Sequence, residues 1–134
     1  HGRLFPRPGS GYSELLSLNT HKPIAGLYFP FAFNQYSPSS AIDAFSRLDS
    51  PLSFSLSGPH EIASALISSP NLLIDPGAYS PLLFGLACQH KDDRLLPCFK
   101  SYGPHLEFWV LTKMLTPTVE QVSEQWTFGL TIYS

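Results

Sequence analysis

Charge is what this sequence has least of. Asp, Glu, Lys and Arg together make up 13% of its 134 residues, about half the share usual in soluble globular chains. The formal net charge is −2, and no stretch gathers Lys and Arg densely enough to displace the counterions of a phosphate backbone. A nucleic-acid partner is therefore not expected. Long apolar runs are also missing. The most extended one, Ile24 to Phe33, is interrupted by Gly26 and Pro30 and is about half the length a bilayer helix requires, so no membrane span is expected. Cysteine is limited to Cys88 and Cys98. Their ten-residue spacing, with Pro97 and the charged turn Lys91 to Arg94 between them, is compatible with a disulfide closing a short hairpin. Two reduced core thiols fit the same spacing, because free cysteine is often buried.

What is present in quantity is apolar side chains, at 43%, together with 13 prolines and 9 glycines. A surface with so few charges takes its polarity from Ser, Thr, Asn and backbone. It resists association poorly, since like-charge repulsion is what keeps small domains apart. Self-association or entry into a larger protein assembly is expected on that ground. The length suits one domain burying roughly two-thirds of its unfolded surface around a single core. Residues 1–11 carry two prolines and three glycines without apolar periodicity and read as an extended N-terminal arm, leaving 12–134 as one β-rich domain. The chain opens on His1 rather than Met and without a signal-peptide pattern, which suggests a terminus made by processing or by excision from a longer protein.

Along the domain, Ile24 to Phe33 reads as an edge strand, because Pro30 cannot donate to a ladder. Leu27, Phe29, Phe31 and Phe33 share one face of it and Tyr28 lies opposite. Ser40 followed by Asp43 predicts a short capped helix ending near Asp49. Leu52, Phe54 and Leu56 alternate with serines as in a half-buried strand, and Gly58-Pro59 opens a helix that Pro70 stops, with Glu61 favoured by its N-terminal dipole. Asn71 to Asp75 and Leu82 to Cys88 read as buried strands, the second being compatible with a helix on length. Two later strands stand out. Leu106, Phe108 and Val110 define the inward face of one, and Trp126, Phe128, Leu130 and Ile132 that of the other. Val119 and Val122 suggest a turn of helix within Thr116 to Glu124. Short strands at about ten-residue spacing predict a mainly β fold, an antiparallel β-sandwich or partly open barrel with one to three short helices in its connections.

Few constellations suggest chemistry. A histidine at position 1 offers its α-amino group and a ring nitrogen to one metal ion, and a second histidine would complete a T-shaped copper site. The opening His1-Gly2-Arg3-Leu4, with Pro6 or Pro8 soon after, resembles the start of some lytic polysaccharide monooxygenases. That resemblance implies a secreted, copper-dependent, polysaccharide-oxidising enzyme. It is confined to the opening residues, and the cysteine-rich body and paired-histidine segment of that family are absent. Only His21, His60, His90 or His105 could supply the second ligand, and a terminus placed by a cut is the simpler account. Cys88 or Cys98 with His60, His90 or His105 could form a thiolate–imidazole pair, but Cys-Gln-His is no protease signature. Cys88, His90 and Cys98 lack the paired short spacings of structural zinc sites. There is no G-x-S-x-G elbow, and Asp92-Asp93 in its charged turn reads as solvated surface.

The aromatic cluster Tyr28, Phe29, Phe31, Phe33 and Tyr36 remains. Core packing accounts for many such residues, yet an apolar edge in a chain this poor in charge invites pairing, and these five are the candidate interface. The expectation is a non-catalytic structural or interaction domain of an assembling surface or virion (capsid-type) protein, needing no cofactor. An extracellular or virion-surface location accompanies it, though the compartment stays open. The rivals are the copper monooxygenase using His1 and a carbohydrate-binding module presenting exposed Tyr or Trp faces.

Overall fold

The computed structural model describes residues 4–34, 36–73, 82–92, 95–102, 105–112 and 126–134, and only the backbone at Tyr102, 110–112 and Trp126. Among them are nine strands: β1 Leu4–Pro6, β2 Gly26–Phe29, β3 Ser53–Leu56, β4 Leu82–Phe84, β5 Cys88–His90, β6 Leu95–Tyr102, β7 His105–Thr112, β8 Trp126–Phe128 and β9 Leu130–Tyr133. Three short helices sit in the connections: α1 Tyr12–His21, α2 Pro38–Ser46 and α3 Pro59–Ser68. The fold is mainly β and sandwich-like. One sheet runs β2-β9-β3, a second runs β7-β6-β4-β8, and β1 pairs with β5. Every pairing is antiparallel except β4 with β8. Only Gly129 separates β8 from β9, so this short stretch of chain leaves one sheet and enters the other.

Local chemistry explains the helix starts. Ser37 caps α2 by accepting from the Ser40 N–H at 3.1 Å, and Pro38 supplies a preset first turn. The helix thus begins three residues earlier than Ser40-Asp43 suggests. In α3, the Glu61 carboxylate accepts from the Gly58 N–H at 3.0 Å and Pro59 occupies the first turn. Helix α1 has no such side-chain cap at Gly11, which takes φ 75°. A Cβ there would lie 2.2 Å from the Phe54 carbonyl oxygen, so both the backbone conformation and the close approach to β3 require glycine.

The main core joins the sheets. Phe84 and Phe128 are fully buried with ring centroids 5.2 Å apart, surrounded by Leu56, Leu86, Leu96 and Cys98. Removing each phenyl ring from water contributes about 2–3 kcal/mol before entropy is counted. A smaller cluster of Ile62, Leu66, Leu73 and Leu83 seats α3 on the sheet side, with Tyr28 packed against it.

The structure corrects several expectations. The strand expected through Phe33 ends at Phe29, because Pro30 opens a turn over residues 30–34. Asn71 lies in the 3-10 turn Pro70–Leu72 rather than in a strand. The stretch Leu82 to Cys88 is broken by a turn after Gly85 into β4 and β5. Leu106 and Phe108 are half exposed, not inward, since β7 pairs with β6 alone among the described residues. Strand β9 is central, and Thr131 and Tyr133, expected outward, are buried while Leu130 and Ile132 are half-buried. Ser55 of β3 and Ser57 just after it are buried likewise, while Ser53 at the start of the strand is exposed. The expected arm is extended over Leu4–Pro6 but tied down: it pairs with β5, and Arg7 Nε donates to the Leu86 carbonyl at 2.9 Å. Helix α1 was not expected at all.

Cys88 and Cys98 carry free, buried thiols instead of the bridge compatible with their spacing. Cys88 pairs with the N-terminal strand opposite Pro6, whereas Cys98 lies in the second sheet opposite Phe84 and Trp109. His1, the side chains of Val110 and Trp126, the Thr116 to Glu124 turn and the end of the Asn71 to Asp75 stretch lie outside the described residues.

Candidate functional site

The β2-β9-β3 sheet has two chemically distinct faces, and its register defines both. On one face Leu27, Ile132 and Phe54 are cross-strand neighbours, followed by Phe29, Leu130 and Leu56. On the other, Tyr28, Thr131 and Ser55 form a row of hydroxyls beside Tyr133 and Ser53. Period-two alternation fixes this separation, because successive side chains point to opposite sides of a strand. Helices α1 and α3 flank the hydroxyl face.

The aromatic residues predicted to form one interface are divided by this geometry. Leu27 is 65% exposed, Phe29 43%, Phe31 50% and Tyr36 41%, so these four stand at the surface. Phe33 is buried in the core, with its ring 5.6 Å from that of Tyr36. Tyr28 turns the other way, toward the helices. The surface part of the cluster is therefore real as an exposed apolar patch, and its shape is a short strand plus the following turn rather than one continuous strand face.

Between α1 and α3 lies a cleft of about 420 Å³. Leu16 and Asn19 contribute one wall, Glu61 and Ser64 the opposite wall, and Tyr28 and Thr131 the floor. The Tyr28 hydroxyl is buried and meets no hydrogen-bond partner among the described residues. Close by, the Tyr12 hydroxyl and His60 Nδ1 share a 2.9 Å hydrogen bond, and Tyr12 also hydrogen-bonds the Glu61 carboxyl. Tyr12 reaches this place by lying on Gly58, where a Cβ would meet its ring at 2.3 Å. Burial is the main influence raising the Glu61 carboxyl above its ordinary value, opposed by its own and the Gly58 backbone N–H and by His60. Burial, with the Glu61 charge second, pushes the hydroxyls of Tyr12 and Tyr28 upward. Both phenols are neutral donors at neutral pH.

The other chemical candidates are kept apart. His60 is in the first turn of α3, His21 at the end of α1, His105 at the start of β7, and His90 in β5 accepts from the Asp92 N–H at 2.9 Å. Among the described residues no three of His, Cys, Asp and Glu gather as a metal site. Burial pushes the Cys88 thiol up to about 11 and the Cys98 thiol up to about 12, the opposite of what a nucleophilic thiolate needs. No helix among the described residues is long and apolar enough to cross a membrane.

Sequence reasoning missed the cleft because Glu61 reads there as a capping residue and Tyr28 as the back of an interface strand. Residues so far apart in the chain carry no shared local pattern. One signal was present: Tyr12, Leu15, Leu16 and Asn19 have helical spacing ahead of Pro23. Fold and site together define a small sandwich-like β domain with one half-open apolar sheet face and a polar side cleft. No protein-family model, no curated protein and no solved structure matches this chain.

Proposed function

We propose that this chain is a non-catalytic interaction domain that associates with copies of itself or within a larger protein assembly, through the apolar face of the β2-β9-β3 sheet. The observation that carries the reading is the uneven covering of that sheet: Leu56 and Leu130 of its apolar face meet the main core, whereas the β2 edge of the same face does not. Among the described residues the helices flank the face bearing hydroxyls, while Leu27 and Phe29 of the apolar face stand exposed beside half-buried Ile132 and Phe54. A monomer that ends its folding in this way leaves apolar surface in water at about 25 cal/mol per Å². The turn after β2 extends the patch with Phe31, and the sequence carries no charged side chain from Pro23 to Ile42.

An assembling surface or capsid-type protein is the setting that suits such a module, by analogy of architecture alone. The test is light scattering on native and Phe31→Lys proteins with circular dichroism alongside. The reading expects the native domain to exceed monomer mass at high concentration, and the variant to stay folded with its mass reduced to the monomer. A native domain that remains monomeric, or a variant that unfolds, contradicts it.

A further inference from the structure

We propose that the cleft between α1 and α3 is a binding site for a small organic cation, an amine with a compact apolar body, held by the Glu61 carboxylate and the Tyr28 hydroxyl. This site is independent of the assembly face, since Tyr28 points into the cleft while its neighbours Leu27 and Phe29 point away from it.

Three observations lead to this ligand class. The first is room: a concavity of about 420 Å³ suits a molecule of roughly ten heavy atoms, within the size range of small-molecule sites. The second is an unmet polar group. The Tyr28 hydroxyl is buried on the floor without a partner, a condition costing about 1–3 kcal/mol that a ligand N–H or hydroxyl would relieve. The third is the sign of the charge. Among the described residues Glu61 lines the cleft and neither Lys nor Arg does, and the ion pair Arg47–Asp43 is elsewhere, at the end of α2. Among the described residues Glu61 has hydrogen bonds from Gly58 and Tyr12, and no Lys or Arg lines the cleft beside it.

An anion entering here would meet a carboxylate and no fixed cation. A fully apolar ligand would leave Tyr28 unsatisfied. An ammonium group answers both, and Tyr28 and Tyr133 line the cleft around it. Leu15, Leu16, Ile24 and Ala65 provide an apolar bed for the rest of the molecule. Burial is the main cause of the upward displacement of Glu61 and of both Tyr12 and Tyr28, and the Glu61 charge adds to it at the two tyrosines.

The test uses three probes of nearly equal size: 2-phenylethylamine, 2-phenylethanol and phenylacetate. Each is titrated into the ¹⁵N-labelled protein, with amide shifts followed by NMR. The amine should shift amides of α1, α3 and β2 saturably, the alcohol more weakly, and phenylacetate not at all. Glu61→Gln keeps a capping side chain at the start of α3 and should weaken the amine by about tenfold or more while changing the alcohol by less than about twofold. Ser64→Lys places a cation in the cleft from an exposed position and should abolish amine binding in a protein whose spectrum is otherwise native. The proposal is overturned if phenylacetate binds as well as the amine, if no probe shifts these amides at millimolar concentration, or if both variants keep native amine affinity.

Discussion

The β2-β9-β3 sheet departs in part from the usual arrangement, in which an apolar face meets the core and a polar face meets water: Leu56 and Leu130 of its apolar face join the main core, but the β2 edge of that face does not. Here the row Tyr28, Thr131 and Ser55 is turned toward helices, with Thr131 and Ser55 buried, while Leu27 and Phe29 of the opposite face remain largely in solvent. The difference teaches where the stability of the fold comes from. It comes from the seam between sheets, where Phe84 and Phe128 stack, and from paired hydroxyls such as Ser57 and Thr131 at 3.1 Å, not from Leu27 and Phe29. The outer face is then free to serve contact rather than folding.

Substitutions sharpen that contrast by size and by sign. The largest effect is expected at the seam: Phe128→Ala should cost about 3–5 kcal/mol in urea unfolding, whereas Leu27→Ala on the outer face should stay within about 0.5 kcal/mol in a dilute sample. Equal losses at the two positions would erase the distinction between seam and outer face. On the hydroxyl face, Thr131→Val removes the partner of the buried Ser57 hydroxyl and should cost about 1–2 kcal/mol. Tyr28→Phe has the opposite sign, because it removes a buried hydroxyl that has no partner, and should raise stability by up to about 1 kcal/mol. If Tyr28→Phe destabilises as much as Thr131→Val, the Tyr28 hydroxyl is satisfied in solution and the cleft is less polar at its floor than described.

Ionisation should give the smallest effect near neutrality and a visible one in alkali. Burial holds the Cys88 and Cys98 thiols protonated up to about 11 and about 12, against 9.0 for an ordinary thiol. The folded state therefore keeps protons that the unfolded chain releases. The stability this represents is whole below pH 9 and is lost as pH rises toward those values. Urea midpoints should fall between pH 8 and pH 10.5, and less steeply in a Cys88→Ala, Cys98→Ala variant. Thiol titration of the native protein at pH 8 should be slow and become complete in denaturant. Two thiols that never appear would show a bridge instead.

Much of the fold was legible because local rules decided it. Gly58-Pro59 with Glu61 announces α3, alternating Ser and apolar residues announce β3, and the periodicity of Leu106 to Lys113 announces β7. What the pattern could not show was which side of a strand would be covered. Strand β9 reads as having Leu130 and Ile132 inward, but it sits between β2 and β3, and long-range docking of α1 and α3 covers Thr131 and Tyr133 instead. Helix α1 was obscured by Ser, Asn and Thr, which favour caps and turns as readily as helix interiors. The interface cluster was half legible. Pro30 correctly points to an edge strand, yet it also ends that strand at Phe29, and the turn it creates carries Phe33 into the core and leaves Phe31 outside.

The claim that the outer sheet face is the contact surface is tested most directly by methyl NMR over a concentration series of the native protein. Leu27, Leu130 and Ile132 should shift together as concentration rises, while Leu15, Leu16 and Ala65 on the cleft side stay fixed. Spectra that do not change with concentration, or shifts confined to the cleft side, would contradict the account.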